Sequence, residues 1–290
     1  MKKLITLLAV AALLFTLAPA DAALWTPTEI TTTLWLDADD ASTITESGGS
    51  VSQWDDKSGN NNHADQVTGS QQPQTGLNTI GGLNVIAFDG SNDYLTVQPF
   101  SSPQPHTVFF VAKTTGGPGR DYVFDGANAN SDRNLVALDR SGTVQFWAGS
   151  WVNSGVATPT DPLIVAAAFN TTSSEISIDG TNTTGLNPGA FTMTNGMNLG
   201  TNYTESVDWL AGDIAEFIIV SGAPDTATRQ TVEGYLAWKW GTEGNLPGGH
   251  PYEFAAPQIA GAVVPEPSTF VLTALGLLSL SMIGWRRRKQ

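Results

Sequence analysis

The chain has 290 residues, no cysteine, and 27 acidic against 13 basic side chains, a formal charge of −14 at neutral pH. Without thiols there is no disulfide framework, no thiolate metal site and no cysteine nucleophile, so any folded domain must rest on a large core. The acid excess repels nucleic acid and anionic lipid and suits a solvated surface outside the cell.

The chain begins with Lys2 and Lys3, an apolar run from Leu4 to Leu17, and Ala20-Asp21-Ala22. A basic start, an apolar middle and a small-residue cleavage pattern predict a secretory signal peptide over residues 1–22. The mature chain then starts at Ala23. Setting aside the six basic residues of the two ends, together with Asp21 and Glu266, leaves seven basic and 25 acidic residues, about −18, between residues 23 and 264.

From residue 24 onward, short apolar runs alternate with turn residues: "TLWLDA", "NVIAFDG", "YLTV", "TVFFVAK", "YVFDG", "LVALD", "TVQFWAG", "LIVAAAF", "EISIDG" and "DIAEFIIV". Each is strand-length, rich in β-branched and aromatic residues, and bounded by Gly, Asn or Asp. This rhythm predicts an all-β domain of antiparallel strands over residues 23–256. In "EISIDG", Ile176 and Ile178 alternate with polar residues, and Asp179-Gly180 supplies the positive-φ pair of a tight hairpin. One segment departs from the rhythm. "DTATRQTVEGYLAWKWG" places Val232, Tyr235, Leu236 and Trp240 at helical spacing, with Asp225 as N-cap and Gly241 as stop.

Residues 257–264 read as a linker. Beyond it, Ser268 to Trp285 is uncharged over 18 residues, enough for a helix of about 27 Å that can cross a bilayer. Arg286, Arg287, Arg288 and Lys289 follow, and basic residues stay in the cytoplasm, so the domain lies outside.

Little in the sequence points to catalysis. His63, His106 and His250 have no metal-ligand spacing, and no G-x-S-x-G elbow occurs. Glu175 and Asp179 belong to a strand edge and a turn, and the spacing of Asp213 and Glu216 predicts opposite faces of a strand. Glycan binding would need aromatic platforms beside polar groups. Trp147 and Trp151 flank a Gly-Ser turn, and Tyr203 and Trp209 flank another loop; Trp151 is the best exposed candidate, and Trp147 and Trp209 can equally be core. Trp35, Trp54, Trp238 and Trp240 sit in periodic patterns and are expected in the core. Loop oxygens of Asp89, Asn92 and Asp93 could hold Ca²⁺, or simply shape a turn. "WDDKSGNNNHAD", with Asp55, Asp56 and Asp65, carries the same two readings.

The pieces "WLDADDASTIT", "GGSVSQWDDKSGNNNHADQ", "GLNVIAFDGSNDYLTV", "AGDIAEFIIVSG" and "RQTVEGYLAWKWG" resemble laminin G-like members of the concanavalin A-like lectin/glucanase superfamily. The resemblance covers nearly all of residues 30–245. It implies a jelly-roll sandwich of two antiparallel sheets with one short C-terminal helix. It further implies binding of glycan or protein, often with a Ca²⁺ that an Asn-Asp pair such as Asn92 and Asp93 can ligate. Some relatives hydrolyse β-glucans with a Glu-x-Asp-x-Glu type strand, which this sequence lacks. The closing "VPEPSTFVLTALGLLSLSMIGWRRRKQ" resembles a PEP-CTERM sorting signal over 265–290, with Pro265, Glu266 and Pro267 before the apolar helix and Arg286 to Arg288 behind it. That implies recognition by an exosortase-type membrane protease, passage through the Sec route, transient membrane residence, and association with exopolysaccharide or matrix. A divergent glycoside hydrolase and a ligand-free structural surface protein remain as alternatives.

Overall fold

The computed structural model describes residues 23–116, 120–128, 132–158 and 160–259; the signal peptide, the sorting motif and the apolar span 268–285 lie outside them. Residues 26–257 form one unit. All ten apolar runs are strands, and seven shorter or more polar strands join them. In chain order come β1 (Thr32–Asp37), β2 (Ile44–Ser47), β3 (Ser50–Trp54), β4 (Ala64–Asp65), β5 (Gln74–Ile80) and β6 (Leu83–Asp89). Next are β7 (Leu95–Val97), β8 (His106–Thr114), β9 (Tyr122–Gly126), β10 (Leu135–Arg140), β11 (Thr143–Trp147) and β12 (Trp151–Ala157). Finally β13 (Leu163–Phe169), β14 (Ser174–Ile178), β15 (Thr181–Leu186), β16 (Met197–Leu199) and β17 (Ala211–Ser221) lead to the helix α1 (Thr226–Lys239). The hairpin expected at Asp179-Gly180 is present, with φ of 48° and 78°.

Two separate sheets were expected; the strands instead form one continuous antiparallel sheet that curls toward a barrel. One arm runs β15-β14-β13-β8-β17-β6-β5. The other runs β3-β4-β7-β16-β9-β10-β11-β12. The arms join because β5, paired along β6, also meets β3 at Gln74 and Ser50. At the opposite side the backbone after β15 bonds the β11–β12 turn: Ala148 N and Ser150 N donate to Pro188 O, and Phe191 N donates to Ala148 O. Gly189 makes that approach possible, since a Cβ there would lie 2.2 Å from Ala148 O.

The core lies between the arms. Phe124 of β9 sets its ring edge against Phe169 of β13 and Phe217 of β17, at 6.4 and 5.4 Å between centroids. Phe146 of β11 meets Phe169 at 5.6 Å, and Phe110 of β8 stacks on Phe217 at 6.1 Å. Each such ring contributes about 2–3 kcal/mol by leaving water.

Helix α1 starts where Asp225 accepts a hydrogen bond from Thr228 N. Gly234 falls in mid-helix because a Cβ there would lie 2.6 Å from the Tyr252 side chain. Val232, Leu236 and Trp240, four apart, are fully buried. Trp238 was expected in the core and is not: it lies 36% exposed, half a turn away from that stripe, with Nε1 donating to Tyr252 O. Trp35 and Trp54 are buried as expected.

The register of β17 overturns the expected separation of Asp213 and Glu216. A bulge at Ala215 pairs Asp213 with Lys113 and Glu216 with Val111, positions two apart on β8, so both carboxylates fall on one face. Each already has a cation: Lys113 Nζ is 3.1 Å from Asp213, and Lys239 Nζ is 2.9 Å from Glu216. Burial pushes the Glu216 carboxyl upward while Lys239 opposes it. Glu216 is bonded from α1 through Tyr235 and Lys239, whereas Asp213 is bonded by Asn78 of β5 and Lys113 of β8.

Candidate functional site

The second arm presents a face of rings and cations on the side opposite the phenylalanine core. On β11, Val144 and Phe146 are buried in the core, whereas Thr143, Gln145 and Trp147 take the outer face. Trp147 and Trp151 are cross-strand partners, with centroids 6.4 Å apart. Both pack, half-buried, against Tyr122, Leu135 and Ala137. The ring of Phe191 stands edge-on to Trp147 at 5.2 Å.

Two arginines complete the face. The Arg133 guanidinium lies 5.0 Å from the Trp147 centroid and 4.0 Å from that of Tyr203. It is clamped by Asp125, which accepts from Arg133 Nε at 3.0 Å and from Tyr203 N at 3.0 Å. Gly126 permits the approach, since a Cβ there would lie 2.9 Å from Arg133 Cα. Burial pushes the Asp125 carboxyl up to about 6, with Arg133 holding it down in part. Arg140 lies over Trp151 at 3.8 Å. Cation–π pairs of this kind are worth about 0.5–2 kcal/mol and fix the rings as platforms.

Of the aromatic residues singled out in the sequence, the fold thus joins Trp147 to Tyr203 through Arg133 and to Trp151 across the strands. Trp209 stands apart, 6.0 Å from Tyr94, whose hydroxyl donates to Glu205 Oε2. Sequence reasoning missed Tyr122, Asp125, Arg133, Arg140 and Phe191. Strict alternation along β11 was the signal for Trp147. Tyr122 and Arg140 gave no such signal, because each reaches the face through a bulge: Tyr122 pairs with Ala137 one residue out of step with Phe124–Val136, and Arg140 pairs with Thr143 out of step with Ala137–Gln145.

The loop proposed for Ca²⁺ is held by its own backbone. Asp89 Oδ1 accepts from Ser91 N and Asn92 N at 2.8 and 3.1 Å, Asp93 Oδ2 accepts from Asp89 N at 3.1 Å, and Asn92 Nδ2 donates to Ser70 O at 2.6 Å. Ca²⁺ asks for six to eight oxygens, and two of the side-chain oxygens here, Asp89 Oδ1 and Asp93 Oδ2, already accept from amides. Asp56 is engaged likewise, by Trp35 N, Ser58 N and Asn62 N. Among the described residues no group of three His, Cys, Asp or Glu is placed to hold a metal. His106 is buried beside Pro103 O and its pKa falls to about 4 by burial.

Three carboxyls, Asp93, Asp125 and Asp179, are raised to about 6, in each case mainly by burial. A carboxyl with its folded pKa above the unfolded value holds a proton that the unfolded chain has released, so stability is lost as pH rises from about 4 through 6. His106, lowered to about 4, opposes them in part between about pH 4 and 6.5, and Asp40, lowered to about 2 by Lys57 and Ser42, does so only below about pH 4. The melting midpoint is therefore expected to stand roughly 5 °C higher at pH 5 than at pH 7.5. A calorimetric midpoint that falls on acidification over this window contradicts these shifts.

Solved structures share the fold, among them the following two. Domain 4 of AbnA, a GH43 extracellular arabinanase from Geobacillus stearothermophilus, in complex with arabinotriose, matches at TM-score 0.50 and 16% identity, over 68% of this chain and 95% of that one. Trypanosoma rangeli sialidase in complex with sialic acid matches at TM-score 0.52 and 10% identity over 76% of this chain; only 36% of the sialidase chain is spanned. At such identities the likeness is one of fold alone. No curated protein sequence matches the chain. Among the described residues no helix is long and apolar enough to cross a membrane. Residues 263–289, which include Pro265-Glu266-Pro267 and Arg286 to Arg288, match the PEP-CTERM protein-sorting motif, the mark of an exosortase-sorted surface or secreted protein.

Proposed function

We propose that this is a noncatalytic, laminin G-like protein of the cell surface or matrix that binds carbohydrate on the outer face of β9–β12. The observation that carries the reading is the platform of Trp147 and Trp151, extended by Tyr203 and braced by two stacked arginines. A sugar offers an apolar ring face and a hydroxyl rim; the indoles meet the first, and the exposed Asn153 on β12 meets the second. A fold shared with a domain seen in complex with arabinotriose supports the reading without assigning a ligand.

In this account residues 1–22 direct export through the Sec route. The span 268–285 holds the chain in the membrane for a time, and an exosortase-type protease cuts near Pro265-Glu266-Pro267. Ca²⁺ at Asp89, Asn92 and Asp93 is not required for the binding face, which lies on other strands.

Affinity electrophoresis of the purified chain in gels cast with neutral polysaccharides (β-glucan, arabinan, xylan) tests the binding. Retardation without release of reducing ends is expected. Release of reducing ends that is lost on changing one carboxylate would establish the hydrolase alternative. Absence of retardation in gels of every polysaccharide tried, acidic ones included, would leave a structural surface protein.

A further inference from the structure

Most cations of the domain are already committed. Lys57 pairs with Asp37 and Asp40, Lys113 with Asp213, Lys239 with Asp37 and Glu216, and Arg229 with Glu233. Arg133 is spent on Asp125, and Arg120 lies 3.7 Å from Asp208. Arg140 is different: among the described residues it has no carboxylate within ion-pair distance. Instead it lies on Trp151 at 3.8 Å and donates from Nη1 to Gln145 Oε1 at 3.2 Å. Gln145 is itself fixed, donating from Nε2 to Arg140 O and to Thr143 Oγ1. The Nε of Arg140 is buried without a partner.

An uncompensated guanidinium is out of place in a domain of about −18, where carboxylates are plentiful. It lies at the end of the aromatic platform, over Trp151. The guanidinium is held over an indole by Trp151 and steered by Gln145, so the entropy of ordering it is already spent, and its outer edge is left to meet a carboxylate. From Arg140 the platform continues through Trp151 and Trp147, 6.4 Å apart, to Arg133 and Tyr203. Arg140 covers the centre of the Trp151 ring, so a glycan ring lying against the part of the indole pair left open would have its carboxylate beside the guanidinium. The acid surface elsewhere does not prevent this, because at physiological salt its field decays over about 8 Å and the contact cation decides.

We propose that the glycan is acidic: a uronate-bearing polysaccharide whose carboxylate is received by Arg140 over Trp151 while its sugar rings run along the Trp151–Trp147 pair. The inference rests on the carbohydrate-binding reading above and narrows it to a ligand class.

Polygalacturonate and its methyl ester share one backbone and differ in the carboxylate, which makes them the probes. In affinity gels the full chain is expected to be retarded by polygalacturonate with an apparent affinity about tenfold or more above that for the ester. Arg140→Gln is expected to lose this preference while keeping weak retention on the ester. Equal retention of the unmodified chain by both forms overturns the inference and leaves the carbohydrate reading standing, and so does a preference that survives Arg140→Gln. Dextran sulfate retarding the chain as strongly as polygalacturonate overturns it too, by reducing the contact to charge alone. Retention by none of these probes nor by the neutral polysaccharides overturns the inference and the carbohydrate reading together. The acid-to-ester comparison on the unmodified chain needs no variant and stands even where Arg140→Gln folds poorly.

Discussion

Replacing Glu216 by alanine is expected to cost about 4 kcal/mol or more and to leave little folded protein at 37 °C. Glu216 is fully buried in β17, and four donors converge on it. Trp35 Nε1 from β1 and Tyr235 Oη from α1 reach Oε1 at 2.7 and 2.9 Å. Trp240 Nε1 and Lys239 Nζ reach Oε2 at 2.8 and 2.9 Å. The same ammonium continues to Asp37, which also takes Lys57. Removing the carboxylate therefore strands two buried indole N–H groups and takes an acceptor from the Tyr235 hydroxyl and the Lys239 ammonium, which keeps Asp37. Losing one partner of a buried ion pair costs about 3–5 kcal/mol by itself. Glu216→Gln keeps an acceptor for part of the set and should lose roughly half as much, about 2 kcal/mol. Urea unfolding monitored by tryptophan fluorescence reads both; a Glu216→Ala midpoint within about 1 kcal/mol of the parent would show that the network is incidental.

Trp147→Ala and Trp151→Ala should act the other way round, sparing the fold and removing binding. Each indole is half-buried on the outer face, so truncation gives up part of a ring contact without opening a core cavity. The expected stability loss is about 1–2 kcal/mol, against about 3–5 for a fully buried ring such as Phe124. On a polysaccharide that retards the parent, each variant should bind about 30-fold more weakly, roughly 2 kcal/mol, the scale of a central aromatic anchor. Trp147 carries the larger share, because its loss also leaves Arg133 with one aromatic neighbour, Tyr203, instead of two.

The architecture was readable wherever local chemistry and burial agree. All ten apolar runs are strands, the Asp179-Gly180 turn is a hairpin, and Asp225 caps the helix. Of the seven strands without an apolar run, β2, β5, β12 and β15 carry little burial of their own, and β16, though wholly buried, is only three residues long. β15, "TNTTGL", and β12, "WVNSGVA", are the free edges of the sheet, polar and glycine-bearing, as edges that resist aggregation tend to be. The continuity of the sheet rests on a single pairing of Ser50 with Gln74, which no pattern announces. Trp238 was misplaced because spacing was counted without choosing a face; it stands two residues after Leu236, which turns it outward.

The site was half legible for the same reason. Trp147, Trp151 and Tyr203 stood out as aromatic residues near loops, and alternation with Val144 and Phe146 puts Trp147 outside. Bulges hid Tyr122 and Arg140, since one extra residue reverses the face that simple parity assigns. A third bulge, at Ala215, brought Asp213 and Glu216 to one face and led Glu216 to partners 181 and 24 residues away, a separation beyond any spacing argument.

The most direct test of the carbohydrate-binding face is the mobility of the Trp147→Ala/Trp151→Ala double variant in an affinity gel beside the parent chain, on a polysaccharide that retards the parent. The account predicts that the folded double variant runs as it does in a gel without sugar. Retardation equal to the parent's, with the thermal unfolding transition intact, would contradict it and move the binding surface elsewhere on the domain.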